Sequence, residues 1–203
     1  YFLAASTHDY ILFFTDKGRA FRTKAYEISE ASRTARGQAI VNILQTGPEE
    51  KITAIVPLST TNIKHQALSI KYLVMATKNG IIKKTAVEEF EQVRRSGLMA
   101  IKLDKEDELR WAKPTSGQDE IILVTTQGQS VRFKEKDIRP MGRGAAGVRG
   151  IRLKKEDEVV EMDIITTNNK QQTTNNKNLL IITENGFGKK TELKYYKIQK
   201  RGG

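Results

Sequence analysis

The sequence predicts an all-β, propeller-like fold of repeated four-stranded blades, and three observations support it: a repeated turn motif, short apolar runs and weak helical patterning. Four apolar runs each end in Thr-x-x-Gly, with the glycines at Gly18, Gly80, Gly128 and Gly186. Glycine adopts the positive φ that tight hairpin turns need, so each run predicts a buried strand followed by a turn. A second glycine follows each of these by 19, 17, 19 and 17 residues. Several strands per unit at such a period are typical of propeller blades.

Each unit is expected to contain four strands in the same order, of which the apolar run is the first. The second, such as QSVRFK at 129–134, alternates basic and apolar side chains, which predicts one packed face and one charged face. The third follows the second glycine, and the fourth lies near 52–56, 109–112 and 159–165. The third strands carry alternating apolar residues, at Val41 and Ile43, Ile101 and Leu103, and Ile151 and Leu153. Residues 25–32 and 87–94 have room for a helical turn or two.

We interpret residues 1–203 as a single repeat domain. Its approximate blades are 1–58, 71–113, 120–165 and 178–203, and the last is incomplete, so we expect about three and a half blades. The strongest internal match pairs IKLDKEDEL at 101–109 with IRLKKEDEV at 151–159. Residues 166–178 are a low-complexity polar run that predicts a mobile loop. We expect the chain to be a fragment, or to have a partner that supplies the missing strands.

The composition excludes several classes of protein and favours one kind of partner. The 203 residues include 35 Lys and Arg against 24 Asp and Glu, a net charge of +11, and no cysteine. The lack of cysteine excludes a disulfide framework and a thiolate metal site, and it fits a reducing compartment. Apolar runs this short predict no membrane span. The basic excess favours a polyanionic partner.

The motifs that would indicate an enzyme are incomplete. His8 and His65 stand far apart, and neither has metal-ligand or catalytic-triad spacing around it. The segment GRGAAG at 142–147 matches GxGxxG but leads into a strand, whereas a dinucleotide site requires a following helix. The segment GFGKKT at 186–191 has only the end of a phosphate-binding loop. We therefore expect no catalytic residue, no metal site and no cofactor in this chain.

Positive charge recurs at one place in every unit. Residues 10–44 carry a net charge of +3, and residues 71–103, 120–153 and 178–203 carry +4 each, which leaves −4 for the rest of the chain. The charge therefore concentrates on the second strand and the loop after it. In radial blades these segments would form a basic rim, which suits the phosphates of duplex DNA better than base edges. The sequence contains no recognition helix, zinc finger or RNA-binding aromatic pattern.

The candidate DNA contacts are the basic residues of these segments. They are Arg19, Arg22, Lys24, Arg33, Arg36, Lys83, Lys84, Arg94, Arg95, Arg132, Lys134, Arg139, Arg143, Arg149, Lys189, Lys190, Lys200 and Arg201. The arginines in glycine-containing loops suit this role because a guanidinium pairs with phosphate through two nitrogens or enters a minor groove. A propeller scaffold for protein partners is an alternative, but it predicts a neutral rim.

Five segments resemble the C-terminal domains of bacterial DNA gyrase A subunits. They are STHDYILFFT at 6–15, YEISEASRTARG at 26–37, AIVN at 39–42, MATKNG at 75–80 and GVRGIRL at 147–153. The resemblance covers essentially the whole chain and implies a six-bladed β-pinwheel that wraps double-stranded DNA, without sequence specificity, around its basic perimeter. It implies a role in ATP-dependent negative supercoiling by a complex of gyrase A and gyrase B subunits in the bacterial cytoplasm, at the nucleoid. It places the catalytic tyrosine and the ATP and Mg²⁺ sites outside this region.

The supercoiling signature of that family, Gln-(Arg/Lys)-Arg-Gly-Gly-Lys-Gly, normally precedes the first blade. This chain has a box-like motif in its fourth unit instead, at Gln199, Lys200, Arg201, Gly202 and Gly203. The motif is either a second copy of the signature or a degenerate loop of the fourth blade. The C-terminal domain of the topoisomerase IV A subunit, which is linked with weak wrapping and decatenation, is the alternative in the same class. A complete signature directly upstream of Tyr1 would decide for gyrase.

Overall fold

The structure, a computed structural model, describes residues 3–59, 70–166 and 177–203. Its strands are β1 (Tyr10–Thr15), β2 (Arg19–Lys24), β3 (Ile52–Leu58), β4 (Tyr72–Thr77), β5 (Ile81–Ala86), β6 (Leu98–Met99), β7 (Leu109–Thr115), β8 (Glu120–Thr125), β9 (Ser130–Lys134), β10 (Val148–Arg149), β11 (Val159–Ile165), β12 (Asn178–Ile182) and β13 (Gly188–Glu192). Short 3-10 turns lie at Ala25–Glu27, Ile40–Asn42, Val87–Phe90, Glu135–Asp137 and Leu193–Tyr195. The predicted all-β class is confirmed.

The strands form four antiparallel sheets, one for each repeat. Their strand orders are β3-β1-β2-β6, β7-β4-β5-β10, β11-β8-β9 and β12-β13. The predicted first and second strands are the hairpins β1–β2, β4–β5, β8–β9 and β12–β13. The predicted fourth strands are β3, β7 and β11, each paired with the first strand of its own hairpin.

The predicted third strand does not complete its own blade, so that part of the prediction is wrong. β6 lies in the second repeat but pairs with β2 of the first sheet, and β10 of the third repeat pairs with β5 of the second sheet. Both strands end before the predicted apolar pairs. Ile101 and Ile151 instead belong to the hydrophobic cores between sheets. The first two sheets therefore take their outer edge from the following repeat.

In the first repeat the predicted third strand is absent, because Ile40–Asn42 forms a 3-10 turn. Ile43 and Leu44 pack on Phe13, on the face of the first sheet opposite to the one that meets the second sheet. Leu44 is thus buried and Ile43 half-buried on their own sheet, whereas Val41 is exposed.

Hydrophobic cores join successive sheets. Leu12 and Phe14 of β1 pack with Leu73 and Met75 of β4, between the first and second sheets. Val74, on the opposite face of β4, belongs to the core shared with the third sheet. Both faces of the second sheet are therefore buried. Strand β7 contacts both β3 and β11 along the inner edge, so the second strands lie toward the outer edge.

Gly97 lets the second repeat approach the first sheet closely. Its φ is +74°, and a Cβ there would lie 2.7 Å from Cε1 of Phe21. Any other residue would meet both left-handed backbone strain and a collision with a buried ring. This glycine is therefore needed for packing between repeats as well as for the turn.

The fourth sheet presents an exposed apolar face, formed by Leu180 and Ile182 of β12 with Phe187 in the adjoining turn. The predicted low-complexity loop at 166–178 lies mostly outside the described residues, which omit 167–176. Within the described ranges, no helix is long and apolar enough to cross a membrane.

Candidate nucleic-acid interface

Each repeat has a basic loop after its second strand and the 3-10 turn that follows it. We call these four segments the perimeter loops: residues 28–39, 91–97, 138–147 and 196–203. Each contains a tight turn closed by one backbone hydrogen bond. The bonds run from the N–H of Ala35 to Ser32 O, of Gly97 to Arg94 O, of Ala145 to Gly142 O and of Gly203 to Lys200 O. The repeats therefore present basic residues on loops of similar local construction.

Ten of the predicted DNA contacts are exposed. They are Arg33, Arg36, Arg94, Arg95, Lys134, Arg139, Arg149, Lys189, Lys190 and Lys200. Most of the arginines among them lie in the perimeter loops, and the remaining one, Arg149, directly follows such a loop on β10. Exposed cations in this arrangement are accessible to a polyanion.

Five more predicted contacts are half-buried. They are Arg19, Arg22, Lys24, Arg143 and Arg201. Arg19 forms an ion pair with Glu50, with 2.7 Å between Nη1 and Oε2. Arg22 and Lys24 both lie over the ring of Tyr10, at 4.1 and 3.4 Å from its centroid. Cation–π contacts of this kind hold part of each side chain against the protein.

The last three predicted contacts, Lys83, Lys84 and Arg132, are buried, with exposures of 0, 4 and 5%. Their prediction as surface contacts is wrong. The alternation of basic and apolar residues on a second strand indicates a charged outer face only when one face of the sheet meets solvent. Here successive sheets cover both faces, so the cations lie between sheets.

Arg22, Lys84 and Arg132 share one repeat position, four residues after the turn glycine, and we call them the inter-sheet latches. Each donates to a backbone carbonyl at the 3-10 turn of the following repeat. The bonds run from Arg22 Nη1 to Glu91 O, from Lys84 Nζ to Glu135 O (3.2 Å), and from Arg132 Nη1 to Leu193 O (2.9 Å) and Tyr196 O (3.0 Å). Because the second, third and fourth perimeter loops each begin at such a turn, a latch connects each of these three loops to the preceding sheet. Lys190 has the same position and is exposed.

Two carboxylates that the sequence did not single out balance the buried latches. Arg132 pairs with Glu120 through Nε (2.8 Å) and Nη2 (2.5 Å). Lys84 Nζ lies 3.6 Å from Oε1 of Glu135, which also accepts a hydrogen bond from Thr115 Oγ1 at 2.8 Å. Buried charges require such partners. The signal in the sequence was the presence of acidic residues at the edges of otherwise apolar strands.

The box-like motif forms most of the fourth perimeter loop and lies along the third repeat. The N–H of Gln199 donates to Arg132 O (2.7 Å), and the N–H of Gly202 donates to Gly150 O (2.9 Å). Nη1 of Arg201 donates to Arg149 O at 2.5 Å. Lys200 is exposed. Of the two basic residues in the motif, Arg201 therefore fixes the loop and Lys200 is accessible.

The described residues contain no group of three or more His, Cys, Asp or Glu side chains arranged to hold a metal ion. His8 is exposed, and His65 lies outside the described residues. The GxGxxG segment at 142–147 leads into β10, as predicted.

Packed antiparallel sheets with basic loops repeated at their outer edge define a propeller-type repeat domain with a basic perimeter. A family model described as DNA gyrase C-terminal domain, beta-propeller, matches residues 9–59, 71–116, 119–166 and 177–203. The chain belongs to this DNA gyrase C-terminal domain family, and the resemblance seen in the sequence is confirmed.

Relatives in sequence are DNA gyrase A subunits. The chain is 40% identical to the DNA gyrase A subunit of Mycolicibacterium smegmatis over its whole length, which is 23% of that relative. It is 38% identical to the DNA gyrase A subunit of Staphylococcus aureus over 98% of this chain and 21% of the relative. The chain therefore spans less than a quarter of the length of these relatives.

Two solved structures are similar in fold. The C-terminal domain of DNA topoisomerase IV superposes with a TM-score of 0.81 at 28% identity, covering 97% of this chain and 57% of the other. The DNA gyrase A C-terminal domain superposes with a TM-score of 0.75 at 27% identity, covering 98% and 59%.

Proposed function

We propose that this chain binds double-stranded DNA without sequence preference and bends the duplex around its perimeter loops. The observation that carries the proposal is the repetition of exposed arginines and lysines on equivalent loops of successive repeats. A row of separated cations matches a row of phosphates along a duplex. The described residues contain no helix longer than a 3-10 turn that could enter a major groove.

Within a complete gyrase A subunit, such bending would wrap a DNA segment and present it to the strand-passage machinery. The proposal therefore extends to a non-catalytic role in ATP-dependent negative supercoiling, in a cytoplasmic, nucleoid-associated complex with gyrase B. The catalytic and ATP-binding groups would come from the rest of that complex, and this chain would need no cofactor of its own. The family membership and the gyrase A relatives support this extension.

Salt dependence of binding to a short duplex tests the interface. We expect log Kd to rise steeply with log salt, by about 0.9 for each phosphate neutralised. Replacing Arg33, Arg36, Arg94, Arg95, Arg143 and Arg149 with Ala should flatten this slope and abolish bending, measured by energy transfer between labelled DNA ends. The domain should stay folded, because these side chains are exposed or half-buried.

The control changes the net charge equally at six exposed positions outside the perimeter loops. It replaces Lys17, Lys51, Lys105, Arg110, Lys154 and Lys155 with Ala. This variant should retain most of the bending. Equal losses in the two variants would contradict a localised interface and leave only general electrostatic attraction.

The similarity to the topoisomerase IV domain favours a second candidate, a domain that binds DNA but wraps it weakly. The two candidates differ in how strongly bound DNA is constrained. A complete signature upstream of Tyr1 in the parent chain, together with strong topological constraint of a circle, would favour the gyrase role.

A further inference from the structure

Lys83 is a buried cation at a position where other repeats have apolar residues. Three residues after the turn glycine, the first repeat has Phe21 and the third has Val131, and both are 1% exposed. Lys189 has the same position in the fourth repeat but is exposed. Because the fold accepts Phe or Val at this position, packing alone does not require a lysine. The buried charge at Lys83 must therefore be explained by the groups around it.

Two backbone carbonyl groups accept hydrogen bonds from the ammonium of Lys83. Lys83 Nζ donates to Ala100 O at 2.8 Å and to Arg143 O at 2.5 Å. The first acceptor follows β6 on the outer edge of the first sheet, and the second belongs to the perimeter loop of the third repeat. A buried ammonium is tolerated only with such acceptors. Lys83 thus joins the second repeat to the third, beside the edge that β6 adds to the first sheet.

Other backbone bonds hold the loop that Lys83 contacts on either side of Arg143: the N–H of Met141 donates to Lys84 O at 2.8 Å, and the N–H of Ala145 donates to Gly142 O. The loop contains Gly142 and Gly144, at both of which a Cβ would meet nothing within 4 Å. Glycines in open space leave the chain many accessible conformations. The N–H of Lys102 donates to Ala145 O at 3.2 Å, and Arg143 Nε lies 3.1 Å from Oε2 of Glu89. Lys83 therefore holds the backbone carbonyl of Arg143, and the guanidinium of the same residue faces a groove at the perimeter.

That groove runs between the second and third perimeter loops. Arg22, Arg94 and Arg143 line it, together with Glu88 and Glu89. The ion pair between Arg143 and Glu89 is half-exposed, with side-chain exposures of 39 and 43%. Exposed pairs of this kind are weak and exchange readily for a phosphate partner. The backbone anchor, in contrast, is inaccessible to DNA.

We propose that Lys83 is a positioning residue for DNA binding: its buried ammonium fixes the backbone at Arg143, so that the Arg143 guanidinium is presented to a phosphate of the duplex. The inference rests on the proposed function, and it assigns Lys83 an indirect role instead of the direct contact that its charge suggested. Its effect on DNA must pass through Arg143.

The test uses this chain with Lys83→Met, Arg143→Ala and the double variant, together with Lys155→Met as the charge control. Met keeps the length of the lysine stem and removes the donor, and the precedents of Phe21 and Val131 indicate that the variant folds. Lys155 is exposed, outside the perimeter loops, and its loss changes the net charge equally. Binding to a labelled duplex is measured across a salt series, and folding is checked by thermal unfolding.

Loss of one phosphate contact at 0.1 M salt weakens binding about five- to tenfold and reduces the salt slope by about 0.9. We expect this from Lys83→Met and from Arg143→Ala, but not from Lys155→Met. Because both changes remove the same contact, the double variant should bind like Arg143→Ala alone. Amide exchange at 142–147 should accelerate in Lys83→Met while the unfolding transition stays cooperative.

Additive losses in the double variant would overturn the inference, since Lys83 would then act independently of Arg143. Unchanged binding by Lys83→Met, or by Arg143→Ala, would overturn it as well. Failure of the proposed function gives a different result: the unmodified chain itself would lack steep, salt-dependent binding.

Discussion

At the scale of single residues, the buried charge of Lys83 makes the stability of the chain depend on pH. Burial lowers its pKa from 10.5 to about 8, Glu89 opposes this shift, and Arg143 adds to it. Between pH 8 and 10.5 the unfolded chain therefore holds a proton that the folded chain has released. Stability rises with pH wherever the unfolded state binds more protons, so this contribution is fully present above pH 10.5 and is lost as pH falls through 8.

We expect the free energy of unfolding of the native chain, relative to Lys83→Met, to increase as pH rises from about 8 to 10.5. Urea unfolding of both proteins at closely spaced pH values measures the difference. Titration of other lysines and tyrosines cancels in this comparison because the two chains share them. A difference that stays constant across the window would mean that Lys83 keeps an ordinary pKa.

The residues also show what the sequence pattern could and could not reveal. Arg33, Arg36, Arg94 and Arg95 are exposed as predicted, because loops rich in glycine and polar residues lie on the surface. Arg132 has the same alternating pattern as an exposed strand residue, yet it is buried. Which face of a strand meets solvent depends on the neighbouring sheet. The residue pattern of one strand does not show whether such a sheet covers it.

At the scale of elements, the edges of the sheets were the hardest feature to predict. The hairpins β1–β2 and β4–β5 follow from local signals, namely apolar runs and turn glycines. The two-residue strand β6 pairs with a strand much earlier in the chain, and its partners Arg19 and Met99 are 80 residues apart. Strands this short have no periodicity, so their partner is set by tertiary packing alone.

The latch at Arg132 should contribute strongly to the stability of the third and fourth sheets. Arg132→Met leaves Glu120 buried, at 7% exposure, without its cation. Removing one partner of a buried pair costs about 3–5 kcal/mol, so we expect a loss of that order in urea unfolding. The variant should also expose the 193–203 segment to proteolysis, because Leu193 O and Tyr196 O lose the guanidinium that connects them to the third sheet.

The double variant Arg132→Met with Glu120→Met separates the two effects. Replacing both charges with apolar side chains removes the unpaired carboxylate, so most of the unfolding free energy should return. Proteolysis of the 193–203 segment should stay fast, since neither methionine donates to its carbonyls. A double variant as unstable as the single one would show that the hydrogen bonds to the fourth repeat, and not the charge pair, dominate.

At the scale of the whole molecule, the 35 Lys and Arg residues include two groups with different surroundings. Some cations, such as Lys84 and Arg132, neutralise buried carboxylates and hold successive sheets together. Others, such as Arg36 and Arg95, lie on the perimeter loops. Because three of the four perimeter loops begin at a 3-10 turn that a latch contacts, the packing between sheets sets the spacing of their exposed cations. Under the proposed function, this fixed spacing would let the contacts to successive phosphates offset the elastic cost of bending a stiff duplex.

The linking number of a DNA circle measures this bend directly. A nicked circle saturated with the chain and then religated should show a shifted mean linking number after the protein is removed, because wrapped DNA is sealed with its constrained writhe. The shift should grow with the amount of chain bound and disappear for the variant that lacks Arg33, Arg36, Arg94, Arg95, Arg143 and Arg149. The charge-matched control, altered outside the perimeter loops, should retain it. An unchanged linking number at full occupancy would leave DNA binding intact and contradict wrapping, because a chain that only contacts phosphates constrains no turn of the circle.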